Sequence, residues 1–208
     1  MSIELDHVFW MVPKATVSHV TTRLASLGLR ESYRRVHVGQ GTANVCYCFE
    51  NAFLEVLWLE NEAEARSAPI ARTQLVQRGT GKANPFGICW RGEAGIDLWD
   101  FRPPFLPDGT SIPMAVASDD PALPLLFRFP GSKRPIELPR ERHGGMQAHA
   151  GFDVLELVAV QCESPVALTP ILSSMMPAVG FMRGVPGLSL RFTGANGSVK
   201  LNLPLGQS

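Results

Sequence analysis

The sequence predicts an α+β fold, and three observations carry that prediction. The first sixty residues read β-α-β-β-β, a β-α-β-β pattern closes the chain, and the middle holds short strand signals separated by Pro- and Gly-rich stretches instead of long helices. Composition agrees with a packed core, since 45% of the 208 residues are hydrophobic. Only 18% are charged, below the roughly 25% of an average globular domain. That deficit implies extra apolar surface, to be covered in a homodimer or spread around a wide apolar pocket.

Residues 3–12 alternate as a strand should, with Ile3, Leu5, His7, Phe9 and Met11 expected on one face and Pro13 ending the run. Residues 14–28 place Val17, Val20, Leu24 and Leu27 at helical spacing, with Gly28 as the C-terminal cap. Strands are then expected at 29–38, 42–49 and 52–59, the last two joined by a turn at Glu50 and Asn51. Glu60, Glu62 and Glu64 suit the N-terminus of one further helix running to about residue 77. A strand is expected at 85–91, followed by the Pro-rich FRPPFLPDGTSIP and short strands at 115–118 and 125–129. Residues 130–150 read as a long polar loop or linker. Residues 152–160 form a strand with Leu155, Leu157 and Ala159 on one face, and Pro165 opens a helix to residue 176. Residues 188–193 and 198–203, joined at Asn196-Gly197, carry the strongest hairpin signal.

Several function classes are set aside by charge and motif. Net charge is zero, which removes the electrostatic basis for binding nucleic acid or an anionic membrane. The basic run RESYRR at 30–35 reads as a solvated edge. No apolar run reaches the roughly 18 residues of a membrane span, and the N-terminal residues lack the features of a signal peptide. Cys46 and Cys48 leave the same face of a strand and do not form a C-x-x-C pair. All four cysteines, with Cys89 and Cys162, are expected to be reduced and mostly buried, and a cytoplasmic location follows from that. No nucleophile elbow, H-E-x-x-H or phosphate loop occurs, and GQGTAN lacks the third glycine of a dinucleotide fingerprint.

LDHVFWMVP at 5–13 and GQGTANVCYCFENAFLEVLWLENEAEA at 39–65 resemble the glyoxalase-like domain family of the vicinal oxygen chelate (glyoxalase/bleomycin resistance/dioxygenase) superfamily. The resemblance implies paired βαβββ modules whose curved mixed sheets enclose a cleft. Residues 1–80 would form the first module with its following helix, and 81–208 a second, degenerate one with a Pro/Gly-rich insertion at 130–150. It also implies a lyase, isomerase or dioxygenase acting on a compact oxygenated substrate, or a metal-free protein that binds a small molecule or antibiotic. His7 and Glu55 match the first- and fourth-strand positions that hold metal in such proteins. A divalent Zn, Fe, Mn or Ni would suit that pair. The second half shows no matching ligands: aligning HVFW with GICW puts Gly87 opposite His7, while aligning the strand VLELVAV puts Leu157 there. The last strand offers Lys200 or Asn202 where a carboxylate is wanted.

Residue chemistry alone singles out overlapping candidates. Glu55 sits inside FLEVLWL, where a lone carboxylate is costly to bury without a partner. Facing one cleft, His7 and Glu55 would make an acid/base pair. His37, Gln40, Thr42 and Asn44 form the densest polar cluster and are read as substrate-orienting, with Gly39 and Gly41 allowing close backbone approach or a bulge. Arg128 and Arg191 each read as a carboxylate clamp or an outer-face salt bridge, and Arg128 is the one carried as a substrate-binding candidate. His143 and His149 could lend a replacement ligand or be loop histidines, and Trp10, Trp58 and Trp90 read as core or cleft wall.

Overall fold

The computed structural model describes residues 3–131, 133–138, 148, 150–163 and 168–206. The chain begins with β1 (Glu4–Met11), α1 (Val17–Ser26) after a 3-10 turn, β2 (Tyr33–His37), β3 (Thr42–Cys48) and β4 (Phe53–Leu59). Val20 and Leu24 anchor α1 on the core, and Gly28 closes it at φ +89°, a conformation that favours glycine. The single helix expected after β4 is instead three short ones: α2 (Glu62–Ala65), α3 (Ala68–Ala71) and α4 (Leu75–Gly79). Pro69 in the first turn of α3 lacks the N–H that would continue α2, and Gln74 is left-handed at φ 57°. Asn61 caps α2 by accepting from the amides of Ala63 and Glu64.

Next come β5 (Phe86–Arg91), β6 (Leu98–Phe101), β7 (Ile112–Ala115) and β8 (Leu125–Arg128). The strand expected at 115–118 ends at Ala115, and residues 116–119 turn as a 3-10 helix. These eight strands form one open sheet in the order β2-β3-β4-β1-β5-β8-β7-β6. β1 runs parallel to β4, β5 parallel to β8, and β1 antiparallel to β5. Each half therefore repeats the same order of strands, and an approximate two-fold axis passes through the β1–β5 pair.

The C-terminal part supplies β9 (Val154–Cys162), α5 (Thr169–Ser174), β10 (Gly180–Arg183), β11 (Gly187–Gly194) and β12 (Gly197–Leu203). They make a separate four-stranded sheet in the order β10-β9-β11-β12. Asn51, in the β3–β4 turn, bonds the main chain of Leu155 in both directions and ties the two sheets together. The expected face of β9 changes partway: Leu155 and Leu157 are buried, but a register shift against β11 brings Val160 inward instead of Ala159. The hairpin β11–β12 forms as the sequence predicts. Pro165 and most of the expected loop at 130–150, including His143 and His149, lie outside the described residues.

β1 departs from simple alternation as well. Leu5 pairs with Trp90 and His7 with Cys89, which leaves Asp6 as an extra residue in a bulge. Ile3 and Leu5 consequently pack in the main core with Val8, Trp10 and Val12, while Phe9 and Met11 belong to a second cluster with Leu57, Leu75 and Met114. The expectation that Ile3 and Leu5 share a face with His7 fails because the bulge reverses the parity of the strand. The main core lies between one face of the large sheet, α1 and the C-terminal sheet, and the second cluster covers the opposite face.

Arg78 on α4 is 1% exposed and donates to the carbonyls of Thr73, Ser118 and Leu123, and of Asn84 at 2.8 Å. It fastens α4 to the segments entering β5 and β8. Arg78→Met is expected to destabilise the fold by about 3 kcal/mol or more, because several buried acceptors lose their donor at once. Urea unfolding measures this, and a loss below about 1 kcal/mol would contradict it.

Candidate functional site

A cavity of about 250 Å³ opens on the face of the large sheet that carries Phe9 and Leu57. Tyr33 on β2 and Phe101 on β6 both line it, although seven strand spacings of about 4.8 Å would separate them in a flat sheet. The sheet is therefore curled, and its two outer edges share one space. Most of the wall is apolar, from Phe9, Leu57, Leu75, Ile112, Met114 and Phe127. Polar groups are concentrated on the β1–β4 side.

His7 is the centre of that side. Its ring stacks on Phe53 at 4.2 Å and meets the edge of Phe127 at 5.1 Å, which fixes the plane. Nδ1 lies 2.6 Å from Asp6 Oδ1. A carboxylate only accepts, so Nδ1 carries the proton and the Nε2 lone pair faces the cavity. Neighbouring residues on a regular strand point to opposite faces, and it is the bulge that brings the Asp6 carboxylate to the ring of His7. Arg91 holds Asp6 from behind: its guanidinium pairs with Oδ2 and donates to the carbonyls of Leu5 at 2.5 Å and Asn51 at 2.6 Å.

Glu55 is 7% exposed. Oε1 accepts from Asn44 Nδ2 at 2.5 Å, and Oε2 lies 4.0 Å from His7 Nε2. That separation is too long for a direct hydrogen bond. Asn44 also meets His37 Nε2 at 3.4 Å; His37 Nδ1 bonds Thr42 Oγ1 at 2.9 Å, and Gln40 donates to the same hydroxyl at 2.8 Å. Asn44 Oδ1 is buried with no partner among the described residues. Burial lowers the pKa of His37 from its ordinary value, Glu55 opposes the shift, and the charges of Arg35 and His7 reinforce it.

The structure thus brings His7, Glu55, His37, Gln40, Thr42 and Asn44 into one connected region. Arg128 lines the same cavity, but its guanidinium is paired with Glu93. Arg191 pairs with Glu156 at 2.8 Å across β11 and β9, away from the cavity. Gly41 serves the chain itself: a Cβ there would lie 2.2 Å from the carbonyl oxygen of Asn61, so the glycine permits the turn into β3 to approach α2. Asp6, Arg91 and Arg35 were not singled out by sequence. Strand alternation places Asp6 away from His7, and only the bulge overturns that.

The family resemblance offers His7 and Glu55 as metal ligands, with no matching ligands read in the second half. The two-fold axis, taken through Val8 and Ile88, carries His7 onto Gly87 and Glu55 onto Phe127, neither of which offers a side-chain donor. A Cβ at Gly87 would fall 2.0 Å from Phe9, whose ring occupies that space. Asp6, His7 and Cys89 do place donor atoms within 4.8 Å of one another. However, Asp6 is already engaged by Arg91, whose positive charge opposes a cation, and burial raises the Cys89 thiol well above its usual pKa. His7 and Glu55 fall short of the three protein ligands of a catalytic zinc site, so the described residues do not by themselves complete a metal centre.

Residues 5–98 match the family described as glyoxalase-like domain. No curated protein matches the chain. Among solved structures, a hypothetical protein from Staphylococcus aureus aligns at 9% identity over 96% of this chain and 85% of its own, with a TM-score of 0.48. A methylmalonyl-CoA epimerase in complex with methylmalonyl-CoA aligns at 14% identity over 65% and 100%, with a TM-score of 0.41. The Streptomyces coelicolor methylmalonyl-CoA epimerase, in complex with 2-nitronate-propionyl-CoA, gives 14%, 65%, 97% and 0.42 respectively. The resemblance read from the sequence holds over residues 5–98, which match the glyoxalase-like domain family, and the fold is α+β with open mixed sheets.

The lowered pKa of His37 has a consequence for stability. The unfolded chain binds its proton at higher pH than the folded chain, so His37 favours the fold above its ordinary pKa of about 6.5 and that contribution is lost as pH falls below it. His37→Asn should flatten the decline of the thermal midpoint between about pH 7 and 5. An unchanged pH profile in the variant would contradict the assignment.

Proposed function

We propose that this protein is a small-molecule enzyme of the isomerase or lyase type that moves a proton at a carbon beside a carbonyl group. The observation behind the proposal is the pair His7 Nε2 and Glu55 Oε2, 4.0 Å apart in one mostly apolar cavity and each held by its own hydrogen-bond network. Two proton carriers on the same side of a bound molecule can take a proton from one atom and return it to a neighbouring one. Asp6 holds His7 in the tautomer that accepts at Nε2 and stabilises the imidazolium once formed. Asn44 occupies one oxygen of Glu55 and leaves the other for chemistry. His37, Gln40 and Thr42 extend this polar edge and orient oxygen atoms of the substrate. A cavity of about 250 Å³ suits a compact molecule.

The rival reading is a protein that binds such a molecule without changing it, and the replacement of the second pair of positions by Gly87 and Phe127 favours it. One screen separates the two. Carbonyl compounds of suitable size are incubated with the protein and followed by NMR in deuterated water, where proton exchange at carbon reports turnover. His7→Ala and Glu55→Gln are each expected to lower that rate by about 10²-fold or more with circular dichroism unchanged, and Asp6→Asn by about tenfold or more. Exchange that survives both His7→Ala and Glu55→Gln would sink the proposal, and ligands recovered unaltered throughout would favour the binding reading.

We further propose a homodimer. Exposed Val36 on the edge strand β2 and Val38 just beyond it support self-association. The four cysteines are all buried, which fits the proposed cytoplasmic location. Light scattering should return twice the chain mass, and a strictly monomeric mass would rule the dimer out.

A further inference from the structure

The cavity wall carries two arginines in different states. Arg128 is committed to Glu93. Arg35 has no carboxylate partner among the described residues; it is exposed, and its guanidinium sits 5.3 Å from the centroid of Phe105. That aromatic face restrains the side chain at the cavity mouth without neutralising it.

The register fixes where this charge stands relative to the reactive pair. Arg35 on β2 lies opposite Asn44 on β3, which lies opposite Leu57 on β4, two residues along from Glu55. Two strand spacings and two residues of rise put the Cα atoms of Arg35 and Glu55 about 12 Å apart. Asn44 and Cys46 on β3 stand between them, and the wall facing this polar edge is largely apolar, from Leu75, Phe101, Ile112, Met114 and Leu125. One end of the cavity is therefore cationic, and the other presents a carboxylate that repels anions.

We infer that the cavity takes a substrate with an apolar body and a single terminal carboxylate, which Arg35 receives while the uncharged end reaches His7 and Glu55. A lone uncompensated guanidinium matches a monoanion, and its fork accepts the two oxygens of a carboxylate. A phosphate dianion would call for a second free cation, and Arg128 does not supply it. The identity of the reactive end rests on the proton-transfer reading above, but the charge preference does not.

Binding of phenylbutyrate, its uncharged isostere phenylbutyramide, and phenylpropyl phosphate to the full chain, measured by calorimetry, tests this. The acid is expected to bind about tenfold tighter than the amide, with the difference shrinking as salt is added. Arg35→Gln should abolish the difference, and Arg128→Gln should retain it. Equal binding of acid and amide, a preference that survives Arg35→Gln or disappears in Arg128→Gln, tighter binding of the phosphate, or no binding of any probe at millimolar concentration would each overturn the inference. Because no turnover is measured, an acid preference with no proton exchange would sink the catalytic reading alone.

Discussion

The site depends on the buried contact of Asp6 with Arg91 and His7. A regular strand cannot present two consecutive side chains to one region, and the bulge in β1 removes that restriction at the cost of one residue's ladder pairing. Arg91 offsets part of that cost by bonding the Leu5 carbonyl beside the bulge as well as the Asp6 carboxylate. The same guanidinium reaches the carbonyl of Asn51, whose side chain is bonded to β9. The orientation of one imidazole is thereby coupled to the β3–β4 turn and to the C-terminal sheet. A buried ion pair is seldom a source of net stability, and its use here is to fix a geometry.

Burial divides the polar groups into two kinds. Asp6 and Arg91 lie behind the wall and bond one another, whereas Glu55, Asn44 and His37 lie in it. Asn44 Oδ1 is buried there without a partner among the described residues. An unsatisfied buried acceptor is costly in a finished core, so its place on a cavity-lining residue fits a surface that is completed by a ligand.

Much of the first half could be read from sequence because its signals are local. Alternation gave the strands, Gly28 marked the end of α1, and an isolated carboxylate in FLEVLWL marked Glu55. The polar run around His37 to Asn44 was visible for the same reason. What stayed hidden was what alternation itself misassigns: the bulges at Asp6 and in β9, and hence the parity of Ile3, Leu5 and Ala159. Pro69 and a left-handed Gln74 broke an expected helix into three, although the acidic start looked continuous. The partnership of Asp6 with Arg91 spans 85 positions and leaves no local trace. Arg35 looked like one charge in a solvated basic run, because only the curl of the sheet turns it towards the cavity.

The approximate two-fold relation between β1–β4 and β5–β8 has a consequence of another kind. A repeat whose halves carried equal chemistry would constrain both. Here Gly87 and Phe127 stand where the other half has His7 and Glu55, and leave a largely apolar mould around whatever that half holds. Changes to Ile112, Met114 or Leu125 would reshape the accepted molecule while leaving the reactive groups in place. The shape of the cavity and its polar edge are thus set by different strands, and one can change without the other.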